Sequence, residues 1–511
     1  MKKIFIICFA AALLNTACSS SFLDIPPQSS STEGSFFKTE DHFTQAINNT
    51  YASLRELYND KGWSMSEMRS DNTHYTRYEA GRGYPTTDKE NIADFLVAIE
   101  NTYVRDMWKS CYTSISKANT VIDRIETKNF SEDFTKKTLG QAKFIRAFVY
   151  FQLVQYFGGV PLQLHEVTSA ENNDLPRSSV EDVYAQIITD VKEAIDYLKP
   201  VSFPQDGSAT QGAAKTLYAY VLMTKPDRDY AEAERQLLDV TKMGYDLETE
   251  FADVFDTGKK NGKEHIFSIQ YQQGDQGQQS SWLYIFLPRT ANADVATGVQ
   301  GSNLVENSGW NVPTSETINL FSDKDKRRDV SIGIAVCNDN DMYTKIDNWF
   351  YVGDPEIANY KLALPFIRKY QHAHAKLRNM DDNWPVYRYS DVLLLLAECA
   401  VEQGKPNEAN KYLNRVRERA GLEAYNGVVT ADIVANERRM ELAFENHRWF
   451  DLIRTGKALE VMKAYGEYIK KEDVGLPANT YNIKPGYLLY PIPFQEMERN
   501  KNLTQNEGYL K

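Results

Sequence analysis

The chain has 511 residues, with 58 lysines and arginines against 70 aspartates and glutamates and a formal net charge of -12. That balance argues against sequence-independent nucleic-acid binding, which depends on neutralising phosphates. The five cysteines, at positions 8, 18, 111, 337 and 399, form no CxxC pair and no metal-type spacing, so neither a disulfide framework nor a zinc site is implied.

Residues 1–17 read as a leader. Lys2 and Lys3 give the positive start, Ile4 to Leu14 the short apolar run, and Thr16-Ala17-Cys18 the small residues around a cleavage point. A cut before Cys18 leaves that cysteine as a lipid-modified N-terminus, and residues 18–35 follow as a tether beginning Ser19-Ser20-Ser21. No apolar run approaches membrane-spanning length, so the expected attachment is through lipid alone. Cys8 leaves with the leader. Cys111, Cys337 and Cys399 are expected to be buried and reduced.

Residues 36–511 read as a single, mainly α-helical domain with loop-rich insertions at about 58–91 and 245–385. From Phe36 to Tyr58, Phe43, Ile47, Tyr51 and Leu54 recur on one helical stripe. The stretch from Tyr58 to Asn91 then mixes Trp63, Tyr75, Tyr78 and Tyr84 with Arg69, Asp71, Asn72 and Arg77 among glycines and a proline, as in a long ordered loop. Helical pattern returns at Arg105 and again around Phe144, Ala147, Phe148 and Phe151, stopping at Gly158-Gly159. The next helix opens with Ser178 and Glu181 at capping-box spacing. Between Tyr245 and Pro385 the segments EHIFSIQYQ and WLYIFLP are candidate strands, and Trp282, Tyr284, Trp310, Trp349 and Tyr351 fall in this interval.

The clearest pattern runs from Trp384 to Gly421 and reads as two helices folded on one another. Leu393, Leu396, Ala397 and Ala400 form one stripe, and Ala409, Leu413, Val416 and Ala420 the other. Gly404 and Gly421 suit helix ends and Pro406 a helix start. Small residues at fixed offsets in a helix-turn-helix are the tetratricopeptide pattern, and one such hairpin cannot bury its own apolar face. Three further pairs are expected: Asp41 to Tyr58 with Arg105 to Glu126, Lys137 to Phe157 with Val180 to Leu198, and Gly212 to Met223 with Tyr230 to Val240. Asn436 to Thr455 reads as one charged helix whose pairs Arg438 with Glu441, Glu445 with Arg448 and Asp451 with Arg454 are expected at the surface. Pro491 and Pro493 keep the tail from forming a single helix.

The lipoprotein start running into SFLDIPPQ, then RAFVYFQLVQYFGGVPL, WPVYRYSDVLLLLAECAVEQG, ERRMELAFENHRWFDLIRTGK and LYPIPFQEMERNKNLTQNEGY stand in that order along the chain. In these stretches it resembles the SusD/RagB family of outer-membrane lipoproteins across nearly its whole length. The resemblance implies a helical fold built on tetratricopeptide pairs, display on an outer membrane facing the exterior, and nutrient capture. It also implies a partner, a SusC-like TonB-dependent barrel.

No GxSxG elbow, HExxH motif or Walker-type phosphate loop is present, so the chain reads as a non-enzyme with no cofactor. His372 and His374 lack the carboxylate or cysteine spacing of a metal site, and Asn338 to Asn348 lacks the glycine and distal glutamate of a calcium loop. A binding surface is the remaining reading. A sugar ring has an apolar face and a hydroxyl rim, and it calls for flat aromatics flanked by forked polar groups. Trp63, Arg69, Asp71, Asn72 and Tyr75 in the first insertion, with Trp282, Tyr284 and Trp310 in the second, offer that mixture and are the expected ligand-binding residues. The expected ligand is a polysaccharide or oligosaccharide passed on to the barrel; the alternative is the same capture role for oligopeptides.

Overall fold

The computed structural model describes residues 36–78, 83–169 and 174–509. The leader, Cys18 and the tether lie outside the described residues. Among the described residues, the helices pair as the residue spacing predicts: α1 (Glu40–Ser53) packs on α2 (Thr102–Ile125), α3 (Glu132–Phe157) on α4 (Val180–Tyr197), α5 (Gln211–Thr224) on α6 (Tyr230–Val240), and α7 (Tyr389–Glu402) on α8 (Pro406–Arg419). Contacts of α2 with α3, α4 with α5 and α6 with α7 join the pairs into one continuous stack, so each pair buries the face its neighbour cannot cover alone. Further on, α9 (Ala431–Glu441) packs on α7 and α8, and α10 (Arg448–Arg454) meets α11 (Ala458–Glu472).

Local chemistry starts and stops these helices. The side chains of Thr39, Asn101, Ser131, Thr210 and Asp229 accept hydrogen bonds from first-turn amides of α1, α2, α3, α5 and α6. For α4 the cap is one residue later than the spacing suggested: Ser179, not Ser178, accepts from the Asp182 amide at 3.0 Å. Gly404 and Gly421 take positive φ of 71° and 80°, as the ends of α7 and α8 require. In α7 every residue from Tyr389 to Ala400 is buried, which makes it the central helix of the core.

Four sequence expectations change in the folded chain. The first five residues of the Trp384 hairpin are a strand, not helix. Among the strands β1 (Thr73–His74), β2 (His265–Ile269), β3 (Val312–Pro313), β4 (Ile332–Cys337), β5 (Asn348–Tyr351), β6 (Leu362–Ile367) and β7 (Trp384–Arg388), β7 pairs antiparallel with β2 and so ties the end of the second insertion to its start. Second, WLYIFLP contains a short helix, Trp282–Phe286, with all five of its side chains buried, and no strand among the described residues pairs with it. Third, the first insertion is not simply loop, since it contains helices Asp60–Met65 and Tyr84–Ala93.

Fourth, the charged stretch is two helices and is buried. It breaks where Phe444 and Asn446 adopt positive φ of 67° and 69°. Their amides point at the buried Glu67 carboxylate and donate to it at 3.0 and 2.8 Å, bonds that an uninterrupted helix could not offer. The expected surface pairs give way to long-range partners, with only Asp451–Arg454 retained, at 2.8 Å. Arg438 binds Asp391 at 2.7 Å and Asp451 at 3.0 Å, and Glu445 binds Arg388 and Lys369, each at 2.7 Å.

Arg388, at the end of β7, is the hub of this buried charge. It reaches Glu264 at 2.6 Å, Glu441 at 2.9 Å and Glu445 at 2.7 Å. Arg419 bridges Glu264 and Glu441 at 2.8 and 2.5 Å, and Arg327 joins Asp325, Glu437 and Glu441 at 2.8, 2.7 and 3.2 Å. Burial raises the Glu441 carboxyl pKa, but Arg419, Arg388 and Arg327 more than offset that and hold it well below the usual carboxylate range. Asp451 is likewise held low, with burial outweighed by Arg438 and Arg454. The remaining insertion packs as a second core in which Leu283, Tyr284, Leu287, Ala335, Cys337 and Phe366 meet beneath the sheet β5-β4-β6. Cys111, Cys337 and Cys399 are buried and free, as expected.

Carboxyls whose folded pKa lies below the unfolded value contribute stability above about pH 4, and that contribution is lost as pH falls through the folded values. Arg388→Met leaves Glu441 and Glu445 without a principal counter-charge. It is expected to cost about 3–5 kcal/mol in urea unfolding at neutral pH, and to flatten the loss of stability on acidification. An unchanged acid profile would show that the network does not set it.

Candidate ligand-binding groove

A groove of about 410 Å³ opens where the two insertions meet. Antiparallel pairing of β1 with β3 sets Thr73 opposite Pro313 and His74 opposite Val312, and the Thr76 amide extends the contact by donating to the Gly309 carbonyl at 2.8 Å. This brings Thr76 and Tyr78 beside the 305–310 loop. Helix Tyr84–Ala93 supplies Lys89 and Glu90, and the first turn of α2 supplies Tyr103.

The loop reaches the groove through left-handed residues. Asn307, Gly309 and Asn311 have φ of 56°, 76° and 54°. Gly309 is constrained twice, because a Cβ there would lie 2.8 Å from the Tyr78 ring. The Tyr78 hydroxyl accepts from the Arg289 amide at 2.9 Å, and the Arg289 guanidinium lies 5.2 Å from the ring centre. Tyr78 is thereby held with its ring at the groove.

Lys89 forms the floor. Its ammonium donates to Asp60 at 3.1 Å and to the Asn307 side-chain oxygen at 3.2 Å, and it lies 4.4, 5.0 and 5.3 Å from the ring centres of Trp310, Trp63 and Tyr103. Burial lowers its pKa, and Asp60 opposes that shift. Burial also raises the pKa of the Tyr103 and Tyr78 phenols, so both are neutral hydrogen-bonding groups at physiological pH. The groove thus presents half-buried tyrosine faces, a tryptophan at its base and a rim of amide, hydroxyl, guanidinium and carboxylate groups.

The structure separates the expected ligand-binding residues. Trp310 lines the groove, and Tyr75 stands behind it with ring centres 5.8 Å apart and its hydroxyl donating to Asp94 at 2.8 Å. The others are corrected to structural roles, because all are buried and their polar atoms or faces are used inside the protein. Trp63 meets Phe286 edge-on at 5.5 Å. Arg69 donates to the Ile92 and Tyr487 carbonyls, each at 2.8 Å, with its guanidinium 4.0 Å from the Phe95 ring. Asp71 pairs with Arg448 and Arg439 at 2.8 and 3.0 Å, and Asn72 joins Glu67 to Arg439. Trp282 packs among Tyr271, Tyr370 and Trp384, and Tyr284 donates to or accepts from His374 at 2.6 Å. His372 in turn meets Asp382 at 2.5 Å, so both histidines of QHAHAK are engaged within the protein.

Tyr78, Lys89, Tyr103, Arg289 and Asn307 were not singled out as site residues from the sequence. Tyr78 lay in the right loop but looked no different from its neighbours. Lys89 carried no signal, because a lone lysine in a polar loop reads as solvated surface. The tetrapeptide Glu-Asn-Ser-Gly at 306–309, rich in left-handed formers just before Trp310, was the one available clue.

A helical stack carrying two insertions that meet at an aromatic groove defines a recognisable class. The chain belongs to the SusD family. The family model described as "SusD family" matches residues 263–509, and one described as "Starch-binding associating with outer membrane" matches 21–222. SusD-like protein P2 of Formosa agariphila is 30% identical, covering 93% of this chain and 94% of its own. Among solved structures, a laminarin-binding SusD-like protein aligns at TM-score 0.74 and 23% identity over 92% of this chain and 100% of its own. Surface glycan-binding protein A from Bacteroides thetaiotaomicron, in complex with laminarihexaose, aligns at TM-score 0.72 and 22% identity over 91% of this chain and 99% of its own. Among the described residues no helix is long and apolar enough to cross a membrane.

Gly309→Ala combines backbone strain with a clash against Tyr78 and is expected to destabilise by about 1–3 kcal/mol. Gly298→Ala, at φ 74° with nothing within 4 Å of the added Cβ, carries the strain alone. Urea unfolding of the two should therefore differ, with Gly309→Ala the less stable; equal losses would deny Tyr78 its fixed position.

Proposed function

We propose that this protein is a non-catalytic capture protein that holds a polysaccharide or oligosaccharide in the Tyr78–Tyr103–Trp310 groove and delivers it to a SusC-like TonB-dependent barrel. The observation that carries this reading is the juxtaposition of flat aromatic surfaces with a polar rim. The apolar face of a sugar ring stacks on an aromatic, and its hydroxyls bridge groups such as Asn307, Arg289 and Glu90. Membership of the SusD family supports it, as do the similar structures whose names record laminarin and laminarihexaose binding.

Delivery places the protein on the outer membrane, facing outward and anchored through a lipid on Cys18, with the helical stack as scaffold and the insertions as the ligand-facing surface. The role needs binding and release and no bond breakage.

Calorimetry against laminarihexaose, other oligosaccharides and a peptide digest, with a product assay on each mixture, tests the reading. Trp310→Ala and Tyr103→Ala are each expected to weaken glycan binding about tenfold, equivalent to about 1.4 kcal/mol. Trp282→Ala should instead cost about 3–5 kcal/mol of stability and leave the affinity of the folded protein unchanged. Binding to peptides alone would move the capture role to oligopeptides, and released sugars would overturn the non-enzymatic reading. In cells, Cys18→Ser is expected to shift the protein out of the membrane fraction.

A further inference from the structure

A second groove, of about 700 Å³, lies between α1, the start of α3, the 206–208 loop and the end of β2, and shares no lining residue with the first. Its charges are unusual for an acidic chain. Arg55 is half-buried on its wall: Nε donates to the Gln270 carbonyl at 2.7 Å, but no carboxylate among the described residues pairs with the guanidinium, and burial lowers its pKa. Lys137 also lines the groove; among the described residues it makes no ion pair, and, against burial, its charge adds to the Ser208 hydrogen bonds that hold the Asp206 carboxyl below its usual range. The acid among the described lining residues is Asp206, whose Oδ1 already accepts from the Ser208 amide at 2.9 Å and the Ser208 hydroxyl at 2.6 Å.

The floor continues the pattern. Thr138 and Gln141 follow Lys137 at one and four residues on α3, which places all three on one side of the helix. Thr138 and Gln141 are 4% and 5% exposed, line the groove, and their side chains have no hydrogen-bond partner among the described residues. The polar ends of Thr138 and Gln141 are open to the solvent of the groove, and with the half-buried Arg55 guanidinium they are available to a ligand. These groups face the same space.

We infer that this groove is a second saccharide site, selective for a sugar bearing an anionic group, either a uronate carboxylate or a sulfate ester. The acidic oxygens accept from the unpaired Arg55 nitrogens and from Lys137, and ring hydroxyls bridge to Gln141 and Thr138. The inference is independent of which ligand occupies the first groove.

The test is calorimetry on the full chain in detergent with a galacturonate hexamer, a sulfated galactan hexamer and neutral laminarihexaose. At least one acidic hexamer is expected to bind, with affinity falling as salt rises. Which one binds distinguishes carboxylate from sulfate. Lys137→Glu, at an exposed position, and Asn48→Trp, at the exposed edge of the groove, should each weaken acidic binding about tenfold, while Tyr103→Ala leaves it intact. The inference is overturned if neither acidic hexamer binds, if Lys137→Glu and Asn48→Trp both leave their binding unchanged, or if Tyr103→Ala abolishes it.

Discussion

The rest of the structure depends on Arg388 being buried. A guanidinium taken out of water is costly unless carboxylates surround it, and the ones that do so come from distant parts of the chain: Glu264 just before β2, and Glu441 and Glu445 after the tetratricopeptide pairs. Because each of these acids is itself buried, it needs Arg388 as much as Arg388 needs it. The pairing therefore has one satisfactory arrangement. It clamps the start of the second insertion, its closing strand β7 and helix α9 to the same point, with Arg419 and Arg327 extending the clamp to α8 and to the 325–331 segment.

A neighbouring charged cluster continues the clamp through the helices. Tyr220 of α5 donates to Asp391 of α7, which pairs with Arg438 of α9, which pairs with Asp451 of α10. The stack would cohere by apolar burial alone, as repeat arrays do, but burial is non-directional and sets no unique position for a long insertion. Ion pairs with defined partners do. With both ends of the second insertion held, its 305–310 loop can be presented against the first insertion through the short β1–β3 pairing, and the groove forms at that seam. Rigid helices thus locate a groove made almost wholly of loop and short-helix residues.

What the residue spacing made legible was local. Helical stripes, capping residues, the glycines that end α7 and α8 and the four helix pairs all depend on contacts within a few tens of residues. The aromatic content of the two insertions was also legible. Which aromatic lines the groove was not. Trp282 and Trp310 stand in similar polar, glycine-punctuated surroundings in the sequence, yet one is packed among Tyr271, Tyr370 and Trp384 and the other borders the groove. The charges misled for a related reason: Arg438 and Glu441 sit at helix-neighbour spacing, but Asp391 and Asp451 for the one, and Arg388, Arg419 and Arg327 for the other, are nearer in the folded chain.

The sequence by itself determined the helical class, the pairing of the helices and the family, because apolar periodicity and motif order are properties of neighbouring residues. The tertiary structure alone decided the break at Phe444 and Asn446, the burial of the charged helices, and the union of Tyr78, Lys89, Tyr103, Asn307 and Trp310 in one groove. Those depend on groups far apart in the chain, and the free energy of desolvating a charge or an aromatic face is set by whatever the fold brings beside it.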